Sequence, residues 1–276
     1  MPWIPELFSE PVLERLQEKW EQERLEAVPY YDGLLSGELD ALIRSFAREP
    51  VLHDPLRGRI KGVRAFEWYV TVMSSFFAEH SMSFDTVEDV ITEDRDLEEF
   101  VLHLDGIDGR YEVPVAIVAD RESDGRLVEL RVYHSMWPVR GGHVHRPPLL
   151  QRDPDLRTSD VVADYQHALA AGDVDAILAT FEPDAYAREP AGAEYFHRGR
   201  EALRAFYEHL FSNDGGIPLE HCSQVDDGRA CLIEYNVVRW GRTELPPEAG
   251  VAVYVRGGTG KLSAARIYDD VDPPIS

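Results

Sequence analysis

Apolar residues recur at helical spacing near the start of the chain, where Leu13, Leu16, Trp20 and Leu25 are separated by charged positions. Ser9 and Pro11 supply an N-cap and a first-turn proline, so the pattern predicts an amphipathic helix that Pro29 interrupts. A second helical pattern carries Leu34 and Leu35 and stops at Gly37, a residue suited to a C-cap; another spans about 39–46. A short extended run at 51–55 ends in Asp-Pro, and a third helix at 63–77 follows Gly62. The remainder reads as strands, at 83–90, 99–104, 113–120 and 127–137, with Asp124-Gly125 as the last turn.

The whole pattern then runs again. Residues 30–46 read YYDGLLSGELDALIRSF, and residues 165–181, an offset of 135, read YQHALAAGDVDAILATF. Residues 127–138 read LVELRVYHSMWP, and residues 262–273, at the same offset, read LSAARIYDDVDP. Between these marks lie a helix capped near Ser159 or Asp160 and stopped by Gly172, a helix at 174–181 and an extended run at 185–190 ending in Glu-Pro. A helix at 200–211 follows Gly199, then strands at 219–225, 230–238, 251–256 and 262–270, with Thr259-Gly260 as the last turn. Two long copies indicate a duplicated domain rather than a solenoid of short repeats. The expected organisation is an N-terminal helical extension at 1–28, a first domain at 29–138, a linker rich in Pro, Gly, Arg and His at 139–158, and a second domain at 159–276. Helices first and strands last predict an α+β class, with helices on one face of an antiparallel sheet.

Charge narrows the function. A net charge of −23 repels phosphate backbones and anionic lipid, so neither a nucleic-acid nor a membrane partner is expected. No apolar run approaches the ~20 residues of a membrane span. The N-terminus shows no basic segment leading into an apolar stretch, which points to a cytoplasmic protein. Cys222 and Cys231 flank the turn Val225-Asp226-Asp227-Gly228 and are expected to be buried free thiols. His143 and His145 suggest no third ligand, so no metal site is expected; the chain also lacks nucleotide-binding and Gly-x-Ser-x-Gly signatures, so no cofactor is expected.

The order of elements, the Asp-Pro and Glu-Pro strand ends, the Gly-x-x-Ala helix starts (Gly62 to Ala65, Gly199 to Ala202) and the final Arg-x-Tyr strands (Arg131 to Tyr133, Arg266 to Tyr268) resemble the nuclear transport factor 2-like superfamily. The nearest branches are SnoaL-like and ketosteroid isomerase-like. The resemblance implies two tandem cone-shaped domains, each with three helices on a curved sheet around a pocket, pairing within the chain; a homodimer is the alternative. It also implies roles. Tyr30 and Tyr165, seven residues before Gly37 and Gly172, match the family's hydrogen-bond donor to a substrate oxygen. Asp54 matches its general base, and Glu189 does so with one extra methylene. Ala116 and Ala252 are counted to the position of a protonated Asp in the isomerases and cannot donate. His134 and Asp269 match the acid–base residue that SnoaL-type cyclases carry near the end of the last strand, giving an Asp54–His134 pair and a Glu189–Asp269 pair. Each assignment has a plain alternative: an aromatic packed in the core, a strand end turning at proline, a solvated residue past the last strand. The resulting expectation is a pocket for a small, largely apolar molecule, with cofactor-free isomerase, cyclase or lyase chemistry. The competing expectation is a non-catalytic binder or scaffold with degenerate pockets.

Overall fold

The computed structural model describes residues 38–106, 109–192 and 195–275; the N-terminal extension and Tyr30 lie outside the described residues. The chain divides after Tyr133 into two compact units. In the first, α1 (Leu39–Arg44), β1 (Val51–Asp54), β2 (Gly58–Lys61) and α2 (Val63–Glu79) precede β3 (Ser83–Ile91), β4 (Arg95–Gly106), β5 (Gly109–Arg121) and β6 (Leu127–Tyr133). Their sheet order is β2-β1-β6-β5-β4-β3. The second unit opens with a short α3 (Trp137–Arg140). Then follow α4 (Asp160–Ala171), α5 (Val174–Thr180), β7 (Phe181–Arg188), β8 (Phe196–Arg198), α6 (Gly199–Leu210), β9 (Leu219–Asp226), β10 (Ala230–Trp240), β11 (Thr243–Arg256) and β12 (Leu262–Ile267). Its order, β8-β7-β12-β11-β10-β9, repeats the first.

The class is α+β, but the sheets are mixed rather than wholly antiparallel. β1 pairs with β6, and β7 with β12, in parallel. The unexpected β2 and β8 come from the residues after the Asp-Pro and Glu-Pro turns, which fold back as short hairpin partners. β11 starts well before the predicted strand, continuing through an irregularity where Pro246 and Pro247, which cannot donate to a ladder, sit between Arg239↔Glu244 and Val237↔Glu248.

One face of the second sheet is apolar by strand alternation. Cys231, Ile233, Tyr235 and Val237 of β10 and Ala252 and Tyr254 of β11 pack with Val162, Tyr165 and Leu169 of α4 and Leu203 and Tyr207 of α6 in one buried core. α4 ends as the pattern predicts, with Gly172 left-handed at φ 71° and its N–H returned to Ala168 and Leu169 carbonyls. Both cysteines are free; Cys231 is buried as expected, whereas Cys222 is only half-buried. Burial lifts the Cys222 thiol to about 11 and pushes the Cys231 thiol higher still, so neither is a thiolate at neutral pH.

The connector between the repeats is tied along the second unit. Asp270 accepts from Ser135 Oγ (2.5 Å), Met136 N–H (3.1 Å) and Val144 N–H (2.8 Å), and His143 Nδ1 lies 3.1 Å from it. Farther on, Arg146 C=O receives the Ala249 N–H, and Leu150 C=O receives Asn236 Nδ2. Ser135 and Asp270 are repeat counterparts, 135 residues apart. No helix among the described residues is long and apolar enough to cross a membrane.

Candidate functional site

The helix-facing side of the second sheet gathers four buried tyrosines, one from each of α4, α6, β10 and β11. Tyr165 and Tyr207 share a hydrogen bond of 3.0 Å between their hydroxyls. The Tyr165 ring lies 5.0 Å from that of Tyr254. Burial raises the Tyr165 hydroxyl to about 12 and pushes those of Tyr207, Tyr235 and Tyr254 well above the ordinary phenol range, so all four are neutral donors.

Asp269 enters this aromatic shell just past the end of β12. Its Oδ2 accepts from Tyr235 O–H at 2.8 Å. Burial lifts its carboxyl to about 6, outweighing the Tyr235 hydroxyl and the Val271 N–H that favour the charged form; Asp270 and Glu248 add to the rise. The expected Glu189–Asp269 coupling is therefore not the main cause. Asp269 as a whole residue is nonetheless half-buried by accessible surface. Gly250, opposite Tyr235 in the register, makes room for the pair. A Cβ there would lie 2.5 Å from Tyr235 Cε2 and 2.8 Å from Asp269 Cβ.

The other predicted site residues are placed as follows. Tyr165 reaches the shell but bonds Tyr207, a tyrosine the sequence reading did not single out. Glu189, just past β7, lies 2.6 Å from His197 Nε2, and the His197 ring stacks on Phe206 at 4.3 Å. Glu189 also contributes to the raised Tyr207 hydroxyl, so this pair borders the tyrosine shell. His134 is the first residue of the second unit, with Nδ1 3.3 Å from the Ser135 carbonyl, whereas Asp54 belongs to the first unit. Asp54 is buried and fully engaged. Its Oδ1 accepts the N–H groups of Leu56 (2.9 Å) and Arg57 (2.7 Å), and its Oδ2 accepts Tyr69 O–H at 3.0 Å. That is the geometry of a carboxylate stapling a turn. Asp54→Ala is expected to lower the stability of the first unit by about 2 kcal/mol, and Asp54→Asn by less than about 1 kcal/mol, because the amide oxygen still accepts both backbone donors. Urea midpoints of the two variants check this; equal losses would remove the stapling role.

One count is corrected by the register. Val118 faces Arg131 and Val253 faces Arg266, so the counterpart of Ala252 is Ile117, not Ala116. Both positions remain apolar, so the inward face of the penultimate strand supplies no donor there. Tyr235 and Tyr254 were missed because alternation marks two faces without saying which one meets the helices, and β10 is buried on both. Among the described residues no group of three or more His, Cys, Asp or Glu could hold a metal ion.

Residues 162–262 match the family model of the SnoaL-like domain. The second unit carries a SnoaL-like domain. The matched range covers Tyr165, Glu189, His197, Tyr207, Tyr235 and Tyr254 and stops short of Asp269, which the fold adds. Solved structures similar to the chain include a SnoaL-like protein of unknown function from Burkholderia thailandensis (18% identity, 39% of this chain and 90% of that one, TM-score 0.33). Another is a nuclear transport factor 2-like protein from Anabaena variabilis (18%, 45% and 90%, TM-score 0.34). A third is the epoxide hydrolase/cyclase-like enzyme SalBIII of pyran ring formation in the polyether salinomycin (14%, 45% and 94%, TM-score 0.35). No curated protein matches the chain. The first unit repeats the sheet order and the parallel closing pair of the SnoaL-like domain, so the fold is a tandem one.

Proposed function

We propose that the SnoaL-like domain of the second unit binds a small, largely apolar molecule and exchanges a proton with it through Asp269. The observation that carries this reading is the Asp269 carboxyl, bonded to Tyr235 at 2.8 Å inside a shell of buried tyrosines and raised there to about 6. A carboxyl with that affinity gives and takes protons with little bias near neutral pH, and general acid–base catalysis of this kind typically contributes about 10²–10⁴-fold. Tyr235 orients the carboxyl. Apolar and aromatic walls favour a ligand with few charges, and the Tyr165–Tyr207 pair, two hydroxyls sharing one hydrogen bond, keeps one O–H to offer a carbonyl or enol oxygen. The reaction classes that fit are cofactor-free isomerisation, cyclisation or elimination.

A second reading is a binder without chemistry. Tyr165 spends its hydroxyl on Tyr207, Glu189 lies against His197, and Ala252 replaces a donor. The test is mass spectrometry of small molecules retained by the purified chain, followed by hydrogen–deuterium exchange into the retained molecule. Asp269→Asn should keep the molecule bound and slow its exchange or turnover at least about 100-fold. Equal rates in both proteins would leave the binder reading.

A further inference from the structure

On the side of the second sheet away from the tyrosines, the register sets Arg188 of β7 beside Arg266 of β12. Both are buried, at 7% and 4% exposure. Arg188 Nη2 donates to Tyr268 O–H, its guanidinium sits 4.9 Å over the Tyr268 ring, and its Nε is buried with no partner. Arg266 Nη1 donates to the Tyr186 hydroxyl at 3.1 Å. At the sheet edge, Arg198 lies 5.3 Å from the Tyr186 and Phe196 ring centres, and Phe196 stands opposite Arg188 in the register.

The first unit fills the equivalent place with acids. There His53 stands beside Arg131. Arg131 makes a forked pair with Asp120 (2.6 and 3.1 Å), Arg95 joins Asp120 at 2.6 Å, and His53 Nε2 lies 2.8 Å from Glu129. Strand pairing fixes the counterparts: Asp120 opposes Glu129, and Val255 opposes Ala264. The second unit has therefore replaced His53 by Arg188, and the carboxylates Asp120 and Glu129 by Val255 and Ala264. It gains a permanent cation where two anions are lost. A buried guanidinium is costly unless an anion answers its donors.

We propose that Arg188 holds an exogenous carboxylate in the place that Glu129 occupies in the first unit. A carboxylate is the group the duplication removed, and two parallel N–H donors of a guanidinium match its two oxygens. Ala264 presents only a methyl group beside Tyr186, where Glu129 carries its carboxylate. Phe196, 40% exposed on the edge strand, is the side chain that yields for entry. The ligand class is a small organic acid, and the site is separate from Asp269.

The experiment follows thermal unfolding of the full chain at constant ionic strength as sodium acetate or benzoate replaces chloride. A saturating rise of about 3 °C is expected. Arg188→Met should abolish it. Ala264→Glu, which restores the first unit's carboxylate, should raise the transition in chloride alone and flatten the response to acetate. No rise beyond the chloride control overturns the proposal, as does a rise that persists in Arg188→Met. An equal rise with phosphate overturns the assignment to carboxylates. If Arg188→Met does not fold, Ala264→Glu decides, since an undiminished acetate response there also rejects the site.

Discussion

Asp269→Asn should yield a protein that is more stable than the parent at pH 8 and inactive in proton transfer. The unfolded chain titrates this carboxyl near 3.8, and the folded shell lifts it to about 6. Between those values the folded state binds the proton more tightly than the unfolded state. Stability contributed at this position therefore falls as pH rises through the window, and the full penalty of a buried carboxylate is present above it. A shift of about two units corresponds to roughly 3 kcal/mol, which the partial exposure of the residue reduces to about 2 kcal/mol. Asparagine keeps an oxygen for the Tyr235 hydroxyl and carries no charge to desolvate. Urea unfolding at pH 8 should show the gain of about 2 kcal/mol, and the two proteins should converge below about pH 4. A gain independent of pH would mean that packing, not the buried charge, separates them. A residue whose removal stabilises the fold is the signature of a site kept for function.

Much of this was legible from the repeat. Gly172 as a helix stop, the Asp-Gly and Thr-Gly turns and the order of elements follow from local rules, because a left-handed glycine or a turn pair acts within a few residues. Asp269 was legible only through its position after the last Arg-x-Tyr strand. What stayed hidden depended on register. Tyr235 shares a face of β10 with Cys231 and Ile233, but β10 is buried on both faces, so alternation alone does not pick the one that meets the helices; the register also pairs Ala252 with Ile267, so its counterpart is not Ala116. The parallel closing strands were hidden as well, since direction is decided by how the helices return the chain and not by the strand residues. Asp54 shows a contact set that no local pattern announces. Its residue type and its proline fit a general base, and only the three donors around it disclose a turn staple. The connector, rich in Pro and Gly, reads as a linker because nothing local reveals that Asp270 will collect its Ser135, Met136 and Val144 donors.

Two glycine substitutions should separate the scaffold from the site. A Cβ at Gly216 would lie 2.2 Å from the Leu169 carbonyl oxygen, 2.4 Å from the Gly172 nitrogen and 2.5 Å from the Ala170 oxygen. All three are backbone atoms at the end of α4, and none can rotate aside. The same contact is held by Ile217 N–H donating to Leu169 C=O and by Gly241 N–H donating to Gly216 C=O, each at 2.9 Å. Gly216→Ala must therefore push the loop off the helix that carries Tyr165. A loss of at least about 3 kcal/mol is expected, at the upper end of overpacking costs. Gly250→Ala meets side chains instead, the Tyr235 ring and the Asp269 Cβ, which can shift. Its cost should be nearer 1 kcal/mol. The shift breaks the 2.8 Å Tyr235–Asp269 bond, and retention of the bound small molecule should fall with it. Urea midpoints measure the first effect, and mass spectrometry of the retained molecule measures the second. If Gly250→Ala retains its ligand as the parent does, the pair on β10 and after β12 is not where the ligand sits. If Gly216→Ala unfolds at the parent's urea midpoint, the loop does not anchor the helix, and the core around Tyr165 is set by the sheet alone.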